Sequence, residues 1–242
     1  MHPNTEQAKT PLTPALVVFD LDGTLLDTHV DLVDSLNYTI AALDLAPVTY
    51  DDLTHLVGHG AKVMIERACK LQGHPLEPEQ FPALLERFIT HYTHNMPGAT
   101  VPYPGLIDAM DQLKSKGYKL AVCTNKLEGL ARTLLERLQL TRYFDAITGG
   151  DTFAVRKPDA GHLLGTIEKA GGDPKRTIMI GDSANDILVA RNAAIPSIAV
   201  PFGYSDVPIE SLQPTRIIKA FGELTPELVN ELIDTAGLRN AG

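Results

Sequence analysis

Two aspartates, Asp20 and Asp22, close a short apolar run, Ala15-Leu16-Val17-Val18-Phe19, and are followed by Gly23 and Thr24. A run rich in β-branched residues, ended by turn formers, reads as a buried strand. Strand side chains repeat every two residues, so an extended backbone sends both carboxylates the same way. Like charges at the mouth of a buried strand repel, and desolvation adds to the cost. A bound divalent cation would offset both effects. Gly23 permits the sharp turn that follows. Alone, Asp-x-Asp-Gly reads rather as turn or cap residues after an ordinary strand, so the rest of the chain must decide.

Two later runs end in the same manner. Lys119-Leu120-Ala121-Val122-Cys123 runs into Thr124-Asn125, and Thr177-Ile178-Met179-Ile180 into Gly181-Asp182. Short strands are also expected at 145–148, 197–200 and 216–218, with helices at 106–116, 127–138, 161–170, 186–193 and 226–236. Strands alternating with helices imply parallel βαβ units, with a sheet covered on both faces. Ligands of such sheets bind beyond the carboxyl ends of the strands. The polar strand ends Asp20/Asp22, Thr124/Asn125 and Asp182 should therefore meet at one edge. Asp182 and Asp186 are i and i+4, a spacing that a helix brings together; helix capping would use the same residues.

Between the first strand and this alternating region lies a block with a different period. Residues 31–43 carry Leu32, Val33, Leu36, Ile40 and Leu43 on one helical face. Helices are also expected at 61–71 and 81–92, and no strand from 28 to 98. The expected organisation is a polar tail at 1–14, an α/β core at 15–27 and 99–242, and a helical insertion at 28–98. His91 and His94 sit i and i+3, but without a third ligand they read as solvated helix positions.

The chain of 242 residues is 44% hydrophobic, enough for a real core plus an insertion. Its formal charge of −9 argues against nucleic acid or an anionic membrane as partner. It leaves room for an anionic substrate, because a metal and a few cations can dominate a site. Cys69 and Cys123 form no disulfide or zinc pattern. No apolar run approaches membrane-spanning length, and the first residues lack the apolar stretch of a signal peptide. A cytoplasmic chain, monomeric or homodimeric, is the expectation.

Asp20-Leu21-Asp22-Gly23-Thr24-Leu25, Thr124-Asn125, Lys157-Pro158 and Gly181-Asp182-Ser183-Ala184-Asn185-Asp186 resemble, in order, the four motifs of the haloacid dehalogenase-like hydrolases. The third motif has Ala160 where its commoner form has a second proline. The resemblance implies a Rossmann-like parallel sheet with helices on both faces and an inserted helical cap. It implies Mg²⁺ as cofactor, held by Asp20, Asp182 and the main-chain carbonyl of Asp22. It makes Asp20 the nucleophile and Asp22 the general acid and base. Thr124, Asn125 and Lys157 would bind the phosphoryl group, with Asp186 supporting the metal's water shell or Lys157.

Whole-chain similarity extends to Val57-Gly58-His59-Gly60-Ala61, Gly149-Gly150-Asp151 and Lys157-Pro158-Asp159-Ala160-Gly161. It is greatest to a bacterial branch of the family that hydrolyses 2-phosphoglycolate to glycolate and phosphate. His59, Lys62 and Arg67 are the expected cap residues for reading the substrate's carboxylate. A pyrophosphatase, another sugar-phosphate phosphatase and a phosphosugar mutase would use the same motifs. A silent binding module on this fold would usually have lost Asp20 or Asp22.

Overall fold

The computed structural model describes residues 13–53 and 60–239. The first strand, β1 (Leu16–Phe19), is the middle of the sheet. The chain then forms β2 (Leu26–Asp27) and the helices α1 (His29–Ile40), α2 (Tyr50–Leu53), α3 (Ala61–Leu71) and α4 (Phe81–Asn95). It returns through β3 (Val101–Pro102) to α5 (Leu106–Ser115), β4 (Lys119–Cys123), α6 (Glu128–Arg137) and β5 (Ala146–Thr148). The last elements are α7 (Ala160–Lys169), β6 (Thr177–Gly181), α8 (Ala184–Asn192), β7 (Ser197–Ala199), β8 (Arg216–Ile217) and α9 (Pro226–Arg239).

Six strands form a parallel sheet in the order β5-β4-β1-β6-β7-β8. Both faces are buried, and the strands show it residue by residue. Val17 and Phe19 of β1 pack into one apolar cluster with Leu120, Val122, Ile178 and Ile180. Leu16 and Val18 join a second, with Ala121, Cys123 and Met179. This two-residue alternation is the strand period with no polar face left over. Leu163 and Ile167 of α7 and Val189 and Ala190 of α8 cover the second face. Residues of α5, α6 and α9 cover the first, as with Met110, Leu134 and Val229.

The helical block joins the sheet through a feature too short to read from periodicity. β2 and β3 pair antiparallel, Leu26 opposite Pro102 and Asp27 opposite Val101. The Asp31 carboxylate then accepts hydrogen bonds from the N–H groups of Ala99 and Thr100, at 2.8 and 3.1 Å, and from the Thr100 hydroxyl. Outgoing and returning chains are thus tied at one stem. His91 is not the solvated residue expected: its ring stacks on Tyr38 at 4.1 Å and lies 3.1 Å from the Ser35 hydroxyl. Among the described residues no helix is long and apolar enough to cross a membrane.

Candidate active site at the carboxyl edge of the sheet

β1, β4 and β6 are neighbours in register, so their carboxyl ends finish together. Asp20, Asp22, Thr124 and Asp182 are all buried there, with Lys157 and Asp186 brought in from the loops and helices that follow. Carboxylate oxygens of Asp20, Asp182 and Asp186 lie within 4.8 Å of one another. This corrects one expectation. Asp22 does not add its carboxylate to that group; leaving the strand, the chain turns, and Asp22 finds different partners from Asp20.

Lys157 Nζ lies 2.8 Å from an Asp20 oxygen and 2.5 Å from an Asp186 oxygen. Lys157 precedes α7 rather than opening it: Asp159 is the N-cap, and its carboxylate accepts the Gly161 N–H at 2.8 Å. The main-chain N–H of Lys157 donates to His162 Nδ1 at 3.2 Å, so the first turn of α7 steadies the lysine from behind. Asp182 lies at the end of β6, before the helix, so its closeness to Asp186 comes from a capping turn rather than from helical spacing. In that turn the second Asp186 oxygen accepts the Ser183 N–H and hydroxyl at 3.0 and 2.6 Å. The Asp182 carboxylate accepts the Thr24 hydroxyl at 2.7 Å and the Tyr204 N–H at 2.6 Å.

Two glycines make this packing possible. Gly23 has φ +84°, and a Cβ there would meet an Asp182 oxygen at 2.4 Å. A Cβ on Gly203 would meet the Gly23 carbonyl oxygen at 2.3 Å. Backbone from two distant loops closes directly onto Asp182.

Three buried carboxylates this close would repel one another. Burial, with Asp186 and Asp22 nearby, pushes the Asp20 carboxyl up to about 7 against the pull of Lys157. Burial, together with Asp186 and Asp20, also holds the Asp182 carboxyl well above the usual carboxylate range. Lys157 supplies one positive charge to the three carboxylates. An all-oxygen, net-negative donor set suits a hard divalent cation, and the residues fit one.

Asp22 is paired elsewhere. Its carboxylate accepts the Thr28 hydroxyl at 2.8 Å, and Lys126 Nζ lies 2.9 and 3.2 Å from its two oxygens. The Lys126 ammonium also sits over the ring of Tyr92, from α4, at 4.4 Å. Burial works against its charge, but Asp22 outweighs this and holds the ammonium above its ordinary value. Lys126 was not singled out in the sequence, although a cation directly after the polar strand end Thr124-Asn125 was the available signal. Thr28, His162 and Tyr204 were missed because single residues in loops and caps carry no pattern.

Thr124 is buried, and its hydroxyl accepts the Lys126 N–H at 3.2 Å. Asn125 donates to the Lys157 carbonyl at 3.1 Å, and its own side-chain oxygen is buried with no hydrogen-bond partner among the described residues. Asp20, Asp22 and residues 124–126 line a cavity of about 110 Å³ whose opposite wall comes from the helical block, with Leu32, Met64, Leu85 and Phe88. Lys62 reaches this cavity, but its side chain is 60% exposed and lies 3.8 Å from Glu66. Arg67 is exposed and outside the lining, because Met64, Ile65, Ala68 and Cys69 form the buried stripe of α3. His59 lies outside the described residues.

A family model described as "Haloacid dehalogenase-like hydrolase" matches residues 17–200. A phosphoglycolate phosphatase of Agrobacterium fabrum is 64% identical over 223 residues, 92% of this chain and 95% of that protein. A phosphoglycolate phosphatase of Mesorhizobium japonicum is 50% identical, covering 92% of this chain and 98% of its own. Among solved structures, a predicted phosphoglycolate phosphatase from Haemophilus somnus superposes with a TM-score of 0.82 at 29% identity, over 89% of this chain and 98% of that one.

Proposed function

Because this chain belongs to the haloacid dehalogenase-like hydrolases, we propose that its buried carboxylate edge hydrolyses a small phosphate monoester, 2-phosphoglycolate, to glycolate and phosphate. The observation that carries this reading is that Asp20 and Asp22 line one small cavity yet are held by different cations, Lys157 and Lys126. Two carboxylates in unlike surroundings can take unlike roles. Similarity to the phosphoglycolate phosphatases over nearly the whole chain supports the choice of substrate.

In the first step an Asp20 oxygen attacks phosphorus in line. The aspartyl O–P bond forms as the ester P–O bond breaks, and Asp22, entering the step as the carboxylic acid, gives its proton to the departing oxygen, which leaves as the hydroxyl of glycolate. Asp22, now a carboxylate, takes a proton from water as that water's oxygen attacks phosphorus. The aspartyl O–P bond breaks, phosphate leaves and Asp20 is restored. Lys157 and the Thr124 hydroxyl stabilise charge on the non-reacting phosphoryl oxygens, and Asn125 braces the Lys157 main chain. Asp20 and Asp182, with support from Asp186 and from the Asp22 main-chain carbonyl that the family resemblance implies, would hold a divalent cation that we take to be Mg²⁺. When bound it neutralises phosphoryl oxygens and orients the ester.

Residues 28–98 are read as the cap over a core of 15–27 and 99–242. The apolar wall of the cap keeps bulk water from the phosphoryl group and limits the size of what enters. Both thiols are free and buried, and a reducing cytoplasm suits them. The test is phosphate release from a panel of small phosphate esters with and without Mg²⁺. Cation-dependent preference for 2-phosphoglycolate by orders of magnitude is expected. Equal, weak release from every ester would defeat the substrate assignment, and no release would defeat the reaction.

A further inference from the structure

We propose that Lys126 is the cation that recognises the carboxylate of the substrate, and so determines specificity. The inference rests on the reading of the site as a phosphatase for 2-phosphoglycolate. In that molecule the carboxylate is attached to the same carbon that bears the ester oxygen. With phosphorus facing Asp20 and the ester oxygen facing Asp22, the carboxylate must lie on the Asp22 side of the cavity. Facing it across the cavity is the apolar wall of Leu32, Met64, Leu85 and Phe88. A carboxylate against such a wall needs a charged partner.

Three cationic side chains line the cavity among the described residues: Lys62, Lys126 and Arg156. Lys62 is mostly in solvent and shared with Glu66, which weakens its field. Arg156 is exposed, and it also lines a groove with Lys157, Pro158 and Asn185, on the flank of the phosphoryl-binding residues. Lys126 is different. Its side chain is 5% exposed, and its ammonium lies within 3.2 Å of both Asp22 oxygens. Those contacts place it at the corner where the substrate's carboxylate must arrive. The Tyr92 ring, 4.4 Å away, closes its other side. An ammonium has three donors, so Lys126 can keep one on Asp22 while giving another to a second carboxylate. Low exposure makes each such bond stronger than one made at the surface.

The choice also explains how a cap can take part in recognition without contributing the charge. Tyr92 comes from α4 of the cap, whereas Lys126 and Asp22 belong to the core. The cap's Tyr92 thus completes the box around an ammonium fixed by a core carboxylate.

The experiment compares two substrates that differ in the carboxylate alone: 2-phosphoglycolate and 2-hydroxyethyl phosphate. The quantity read is the ratio of their kcat/KM values, which cancels any general loss of catalysis. Wild type should favour 2-phosphoglycolate strongly. Lys126→Met should lower the ratio at least tenfold, with the excess loss in KM for 2-phosphoglycolate, and Lys126→Arg should retain most of the preference. Should Lys126→Met fail to fold with Asp22 left unpaired, Lys126→Gln can still donate to Asp22 and should lower the ratio in the same way. A ratio unchanged in the neutral variants, with both substrates slowed equally, would overturn the assignment and leave Lys126 as a partner of Asp22 only. Loss of the preference in Lys126→Arg equal to that in the neutral variants would also overturn it. A wild-type chain without preference for the carboxylate would overturn the substrate reading as well.

Discussion

The ammonium of Lys157 lies 2.5 Å from the carboxylate of Asp186, a residue 29 positions later that is fully buried at the first turn of α8. This pair ties the loop before α7 to the first turn of α8. It sets the cation that also reaches Asp20 at 2.8 Å. Lys157→Met would leave Asp20 and Asp186 facing each other without that charge. Breaking a buried pair on one side costs about 3–5 kcal/mol. Calorimetry should show that loss, and phosphate release should fall to background in the same variant. A stable Lys157→Met chain with normal turnover would remove Lys157 from the site.

Divalent cations should stabilise the chain, and the effect should depend on pH. The Asp20 carboxyl, pushed up to about 7, is protonated below that pH, and a proton there competes with a metal. Mg²⁺ should therefore bind more weakly as the pH falls through about 7. At a hundredfold excess over Kd the gain in stability is about 2.7 kcal/mol. Melting curves with and without Mg²⁺ at pH 6 and pH 8 read it directly, and Asp182→Asn should abolish most of the shift.

His162 should impose a pH dependence of the same sign on folding, at lower pH and without any metal. Burial, helped by Lys157, pulls its imidazole down from 6.5 to about 4. Between those values the unfolded chain binds a proton that the folded chain does not. Stability is then full above 6.5 and is lost as the pH falls towards 4, by an amount on the order of 3 kcal/mol. His162→Asn keeps an acceptor for the Lys157 N–H and cannot titrate. Denaturant melts should show a shallower acid limb for the variant, the difference between the two chains isolating this group.

Gly203→Ala tests whether the approach of two loops to Asp182 matters. Its Cβ would meet backbone oxygen at 2.3 Å and Asp182 Cβ at 2.4 Å, neither of which is a flexible end. Overpacking of this kind costs about 1–3 kcal/mol. Displacing Asp182 should also weaken Mg²⁺ binding roughly tenfold or more, measurable by calorimetric titration.

Much of this arrangement could be read before any coordinates. The three strands that carry the site are short β-branched runs ended by polar residues, and a parallel sheet places their carboxyl ends on one edge. That logic reaches Asp20, Thr124 and Asp182 without reference to packing. It brings Asp22 to the same edge and cavity but not into the cluster of acids, because strand period two holds only while the backbone stays extended, and the chain turns after Phe19. It does not reach Lys126 or Tyr204, whose partners lie 104 and 22 residues away along the chain. The stem at Leu26–Asp27 and Val101–Pro102 is two residues a side, shorter than any period. Arg67 was chosen for its charge, while the apolar stripe of α3 turns it away from the cavity.

The role of Asp20 as nucleophile is the centre of the account, and one measurement tests it most directly. Asp20→Asn keeps the shape of the side chain and replaces its nucleophilic carboxylate with a neutral amide. With Mg²⁺ and 2-phosphoglycolate, the folded variant should release phosphate roughly a thousandfold more slowly than wild type, or not at all. Wild-type turnover by Asp20→Asn would contradict the account at its foundation.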